Sequence, residues 1–542
     1  MFSAATVDLV TLLKDGSPIS ARYQILAVDI IKEVNKIPKA QIVLADGDAT
    51  TQEFRLSDEG FLNPGELIEI QLMGETAFKG IVVRHRLKSD LQKNSRLVVD
   101  LADVAIKLTR QRKNAVFQDS KDSDIIKDIL TKAGGLTVGS IAPTKPQHKE
   151  MVQFYCTDWD FILSRAEANG LWVLTDDGSV IVLAPKLSGS PQYLFEYGMS
   201  PIYEFEMEAD IRNQYQAVQS TAWDIVSQDL APVVKATEPS LNPGDLKPAD
   251  LAKTIGAEQC DLIGGGELSE GEAQAWADAK MSKSRLSMVR GRIKGPGIAE
   301  IKPGEVMEVL GIGKHFNGIT LVSAVRQQAS PQGWQTDVQF GLSATWFSQN
   351  PDVVDTPAAG LLPAINGLQV GVVAPFEDDP DTKMRVRVKV PALSNETESL
   401  VWARLAVLDA GATRGTFFRP EPGDEVVLGF LNDDPRQAVI LGAVYSEKNA
   451  TPWEITADNF EKGLVSKESL KLYFNDEEKS ITLETPAANK ITILDEGTIQ
   501  IVDSNNNQLL MDANGITISS DKDITIKAGG NVAIEGSQVD VN

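Results

Sequence analysis

The side chains whose types and spacing could do chemistry are few. Asp158 and Asp160 flank Trp159 as a carboxylate pair that general acid–base catalysis could use. They also open an apolar-periodic stretch, Asp158–Asn169, where an N-cap and first-turn acids suit a helix dipole, and that reading is the better one. Asp176-Asp177-Gly178 begins like a calcium loop but lacks the ligand-spaced acids that should follow, so it reads as a hairpin turn. Ala528-Gly529-Gly530-Asn531 shares its glycines with a calcium-binding nonapeptide but not the required Asp. Glu421, Asp424 and Glu425 read as a solvated turn and strand edge. Cys156 has no histidine near it in sequence and reads as a buried thiol. His85, His148 and His315 are isolated and offer no metal-ligand spacing. No catalytic group, metal ligand or cofactor site is expected.

The positions that remain organise the chain, and they lie at its end, residues 466–542. Apolar residues there come in i, i+2 pairs: Ile481/Leu483, Ile491/Ile493, Ile499/Ile501, Leu509/Met511, Ile516/Ile518, Ile524/Ile526, Val532/Ile534 and Val539/Val541. Alternation with β-branched residues marks strands with one buried face. Pair starts step by 10, 8, 10, 7, 8, 8 and 7 residues, a period near eight. Links such as Asp495-Glu496-Gly497 and Ser504-Asn505-Asn506-Asn507 carry the chemistry of tight corners. One apolar pair per eight residues makes only one wall of a prism, so three chains are expected to wind together as a triangular β-helix. Eight strands per chain, shared over three faces, give a rod roughly 40 Å long. A single-chain β-helix is the alternative, but it usually needs longer rungs.

Composition frames this reading. A chain of 542 residues exceeds one core and suits three or four domains. A net charge of −24 argues against nucleic acid and anionic membranes as partners. Cys156 and Cys260 make no disulfide framework. There is no basic stretch ahead of Val7-Asp8-Leu9-Val10, so no signal peptide is expected, and no apolar run approaches a membrane-spanning length.

Taken in order, residues 1–110 alternate in short bursts (Thr6–Leu13, Tyr23–Ile31, Ala40–Leu44, Leu67–Leu72, Gly80–Leu87, Arg96–Leu101) and predict a small barrel. Residues 111–200 predict an α/β subdomain, with helices over Asp122–Lys132 and Asp158–Asn169 and a hairpin from Leu171–Leu174 to Val180–Leu183. Residues 201–348 predict a second barrel, an exposed loop over Val234–Leu251 and a long helix over Glu270–Val289 with capping-box spacing at Ser269 and Glu272. Asn63-Pro64-Gly65-Glu66-Leu67 with Phe78-Lys79-Gly80-Ile81 aligns with Lys302-Pro303-Gly304-Glu305-Val306 with Phe316-Asn317-Gly318-Ile319, which suggests a duplicated barrel. A weaker third copy is Pro422-Gly423-Asp424-Glu425. Two barrels per chain in a trimer make six near-equivalent units, a ring that could adapt a threefold rod to a sixfold tube. After a linker, 349–365, residues 366–446 predict five strands of an OB-type barrel, and 447–465 a polar connector.

Residues Gly371-Val372-Val373, Asp379-Pro380, Met384-Arg385-Val386-Arg387-Val388, Trp402-Ala403-Arg404, Pro420-Glu421-Pro422-Gly423-Asp424-Glu425-Val426 and Val439-Ile440-Leu441-Gly442 resemble the OB-fold domain of VgrG-type spike proteins. Thr157-Asp158-Trp159-Asp160-Phe161-Ile162 and Trp276-Ala277-Asp278-Ala279-Lys280 are similar to the hub helices of that family. With the rod, the resemblance covers essentially the whole chain. It implies a mainly β fold of tandem hub barrels with a small α/β insertion, an OB-fold barrel and a C-terminal trimeric triangular β-helix. It also implies a non-enzymatic homotrimer at the tip of a contractile injection system, meeting tail-tube and baseplate proteins, a PAAR-type tip protein and the target cell envelope.

On that resemblance Ile481, Leu483, Ile491, Ile493, Ile499, Ile501, Ile516, Ile518, Ile524 and Ile526 form the trimer core, and Val532, Ile534, Val539 and Val541 dock the tip cap. The protein would assemble in the cytoplasm and leave in a released or fired particle. Residues 19–46 resemble phage-tail-like extracellular particles more than type VI secretion proteins. Some relatives carry a lysozyme domain before the rod, an effector domain after it, or a His-x-His iron tip. Only about twenty residues separate barrel and rod here, the sequence stops at Asn542, and no histidine follows His315. A cell-wall hydrolase is therefore the disfavoured alternative, and so is a receptor-binding fibre.

Overall fold

The repeated Pro-Gly-acid turn is built three times with one hydrogen-bond pattern. Gly65 N–H donates to Val82 O (2.8 Å) and Val82 N–H to Glu66 O (2.9 Å); Gly304 and Val322 do the same with Glu305, and Gly423 and Val373 with Asp424. In each, the acid side chain accepts from the backbone N–H three residues before it, of Asn63, Lys302 and Glu421. The glycines sit at φ +98°, +91° and +97°, which a residue with a Cβ adopts only at a cost. The downstream half of the aligned repeat is out of register. Gly80 pairs with Ile68, whereas Gly318 pairs with Val309 and the equivalent of Gly80 is Thr320, opposite Met307. The reason is the loop: Met73-Gly74 closes the first hairpin, whereas residues 311–317 close the second.

The structure, a computed structural model, describes the chain except residues 1–8, 20–22, 91–94, 188–189, 242, 394–399 and 542. Residues 6–8 of the first alternating burst, 20–22 and Asn542 thus lie outside the described residues. Two units are formed, Met1–Asp355 and Thr356–Asn542.

In the first unit the two halves are joined rather than separate barrels. The strand Gly318–Ser330 pairs with Ile25–Glu33, fusing them into one thirteen-stranded sheet. Each half keeps its own core, around Ile42, Ile70, Phe78 and Leu97 in one and Ile293, Met307, Val322 and Val338 in the other. The helices form over Asp122–Lys132, Asp158–Ala168 and Glu270–Met288, the last with the capping box of Ser269 and Glu272. The loop expected over Val234–Leu251 ends instead in a short helix, Pro248–Thr254, with Pro248 at its first position, where the missing N–H costs nothing.

The second unit contains a closed five-stranded barrel of Gln369–Val373, Val386–Lys389, Leu400–Leu405, Glu425–Phe430 and Ala438–Ala443. Alternate residues of these strands, among them Val388, Val426 and Leu428, fill its core. A seven-stranded antiparallel sheet follows, from Glu461–Val465 to Gly515–Ser519. It begins inside the span read as a connector, 447–465. Mainly β architecture therefore runs through both units.

Candidate functional site

Most of the polar candidates are engaged by neighbouring groups. Thr157 caps its helix by accepting from Asp160 N–H (3.1 Å), and its hydroxyl donates to the Asp160 carboxylate (2.6 Å). Asp158 is held by Lys113 (2.5 Å) and Gln153 (3.1 Å), so the two carboxylates are committed to different partners. Burial, with Asp160 and Asp158 nearby, pushes the Cys156 thiol up, which leaves it a poor nucleophile. Asp176 takes Lys32 and Lys302 (2.8 Å), while Asp177 accepts from Lys79 N–H (2.9 Å). That hairpin tip thus pins residues of both halves of the large sheet.

The histidines are spread likewise. His148 lies buried between Asp122 and Glu272 (2.9 Å to each), and Arg165 and Asn169 also donate to Asp122. Burial works against the Asp122 carboxylate, but Arg165, His148 and Asn169 together hold its pKa below the usual range. His315 meets Asp245, and His85 meets Ser57 and Leu62 O. Among the described residues no group of His, Cys, Asp or Glu could hold a metal.

Among the described residues, one face of the C-terminal sheet forms a long uncovered apolar surface. Adjacent strands bring the apolar pairs into two continuous rows. One runs Phe474, Ile481, Ile493, Ile499, Met511, Ile516. The other runs Leu464, Leu472, Leu483, Ile491, Ile501, Leu509, Ile518. The usual sidedness is reversed: Ser480 and Thr482 are buried on the opposite face, while Ile481 is 42% and Ile516 70% exposed. An exposed apolar patch of this length is the kind of surface on which proteins associate.

Corner spacing explains where the meander stops. Ser469, Lys479, Ala488, Gly497 and Asn506 adopt left-handed backbone at intervals of 10, 9, 9 and 9 residues. Asn507 O and Asn489 O, for instance, accept the N–H groups of Asp503 and Thr485 to close their turns. Nine or ten residues allow a five-residue strand and a corner that folds back. After Ile516 the pairs step by only eight or seven, and Ile524, Ile526, Val532, Ile534, Val539 and Val541 lie exposed in no strand. The single period near eight covers two regimes. Leu472 and Phe474 also belong to this face, beyond the expected pairs, and their own i, i+2 alternation marks them.

Residues 4–330 match the Alg8 N-terminal domain, 369–445 the Type VI secretion system/phage-baseplate injector OB domain, and 480–542 the Phage baseplate V C-terminal trimerisation domain. The second match coincides with the closed barrel, and the third starts where the strand Ser480–Glu484 starts. The type VI secretion system spike protein VgrG1b of Pseudomonas aeruginosa is 24% identical over 393 residues, 67% of this chain and 51% of its own length. Its VgrG1a is 23% identical over 390 residues, 67% of this chain and 58% of its own length. The chain thus spans about half the length of these relatives. A tail protein from Neisseria meningitidis MC58 superposes with a TM-score of 0.47 at 16% identity, covering 64% of this chain and 98% of that one.

Proposed function

The chain belongs to the VgrG-type spike family, and we propose that three copies close the exposed face of the C-terminal sheet to form the non-enzymatic hub and spike at the tip of a contractile injection system. The observation that carries this is the pair of uncovered apolar rows lying largely within the segment that matches a trimerisation domain. Fully burying one such side chain is favourable by about 1.5–3 kcal/mol, so rows this long hold ample driving force for association. Ile481, Leu483, Ile491, Ile493, Ile499, Ile501, Ile516 and Ile518 form the shared core. Ile524 and Ile526 join it where the chain has no strand of its own and must pair with other copies. Val532, Ile534, Val539 and Val541 receive a PAAR-type tip protein.

In the first unit, the duplicated half-sheets of three copies supply six similar units for the sixfold tail tube and baseplate. The assembly forms in the cytoplasm and is then driven into the target envelope, where the rod works as a passive tip. Light scattering tests the core of this reading: the purified protein should be a heat-resistant trimer, and a monodisperse monomer would refute it. A cell-wall hydrolase finds no support, since residues 444–460, between barrel and sheet, hold no domain. A zymogram clearing peptidoglycan would revive it. The setting has two candidates. The names of the two Pseudomonas relatives favour a type VI secretion system, and residues 19–46 an extracellular particle. Neighbouring genes for the type VI disassembly ATPase would decide for the former.

A further inference from the structure

Among the apolar surfaces that the described residues of the OB-type barrel leave exposed, two are of different shape. One is a finger between the strands Leu400–Leu405 and Glu425–Phe430. Its small ladder pairs Ala410-Gly411 with Arg414-Gly415. Asp409 braces it by accepting from Arg414 (2.8 and 3.0 Å), and Thr416 N–H donates to Asp409 O (2.9 Å). A Cβ at Gly415 would lie 2.3 Å from Asp409 O, so the turn is closed as tightly as the backbone permits. This braced finger presents Leu408 (97% exposed), Phe417 (79%) and Phe418 (65%) to water. The other patch is on the barrel wall. Leu368, Val370 and Leu441 point outward, and Leu368 and Leu441 lie together over Gly429, where a side chain would meet both.

We propose that the finger of one copy docks on the wall of the next, a clasp that closes a threefold ring around the neck of the trimer. The inference rests on the trimer reading above and extends it to the barrel. A ring of three needs a heterologous contact, in which each copy offers two different patches, whereas a self-complementary patch would stop at a dimer. The barrel has two such patches, and it shares a unit with the sheet that supplies the trimer contact. Each Phe buries roughly 150–250 Å², so a seated finger and its wall together cover on the order of 1,000 Å², enough for a specific contact.

The test uses the full chain with Cys156→Ser and Cys260→Ser, adding Phe418→Cys and Val370→Cys together, both at exposed positions. Light scattering before oxidation reports the trimer. Mild oxidation should then give a covalent trimer on denaturing gels, whereas either cysteine alone should give none. A trimer in solution that yields no cross-link, or only a disulfide within one copy, overturns the clasp and leaves the sheet-mediated trimer standing. A monomer in solution overturns both. As a second measurement, Phe417→Ser with Phe418→Ser should raise the protein concentration at which trimers dissociate at least tenfold. An unchanged dissociation curve counts against the clasp.

Discussion

The closed barrel and the C-terminal sheet of the second unit are written in the same alternating pattern, yet they spend it in opposite ways. In the barrel, Val388, Val426 and Leu428 turn inward and are fully buried, because five strands close on themselves. In the sheet the strands never close, and Ile481, Ile493 and Ile499 face water. Alternation therefore specifies which face is apolar, not what covers it. Cover is decided by whether strand number and connections bring the two edges together. The barrel completes its core within one chain, whereas the sheet leaves its apolar face open, to be covered by other copies if the proposed trimer holds.

The largest effect that would break this contrast is a charge in each core. Ile518→Asp should abolish trimers and leave a folded barrel, since burying an unpaired carboxylate costs several kcal/mol. Val388→Asp should unfold the barrel itself. Size-exclusion with light scattering and circular dichroism separate the two outcomes, and a trimer that tolerates Ile518→Asp refutes the shared core.

A self-sealed region should also melt independently of protein concentration. The first unit supplies a probe, for Asp122→Ala removes one partner of a buried ionic cluster and should cost about 3–5 kcal/mol. Its melting shift should be the same at high and low concentration, whereas melting of the sheet should rise with concentration. The pH dependence follows from the same carboxylate. Its folded pKa lies below the unfolded value, so its stabilisation is present above about pH 4 and is lost as pH falls further. The difference in melting temperature between the native chain and Asp122→Asn should therefore narrow steadily in acid. The smallest effect belongs to the repeated turn. Gly423→Ala, at φ +97°, should destabilise the barrel by about 1 kcal/mol without changing the oligomer, as read by denaturant titration.

Much of this was legible in the residues. The helices over Asp122–Lys132 and Glu270–Met288 and the strands of the barrel follow from caps, periodicity and turn residues within a few positions of each other. Failures came where the answer depends on distant chain. That Gly318 pairs with Val309 rather than taking the place of Gly80 is set by hairpin loop length, which a local alignment of Phe-x-Gly-Ile does not register. Fusion of the two half-sheets through Ile25–Glu33 and Gly318–Ser330 joins residues almost three hundred positions apart. For the candidate face, the apolar pairs are legible in the sequence, but a single mean period hides their two spacing regimes. The strands Glu461–Val465 and Lys471–Asn475 carry a weaker pattern in the sequence, because charged residues surround their apolar positions.

The regular corners of the sheet make its length a countable quantity. Each pair of strands is a module of nine or ten residues per strand that returns the chain to its starting direction with the same face outward. Removing residues 490–507, two strands with their corners, should join Ser480–Glu484 to Gln508–Asp512 without changing the chemistry of either row. The spike would become shorter by about 9.6 Å, two strand spacings. The length of the sheet is set by how many hairpins are spelled out, and can be lengthened or trimmed one notch at a time.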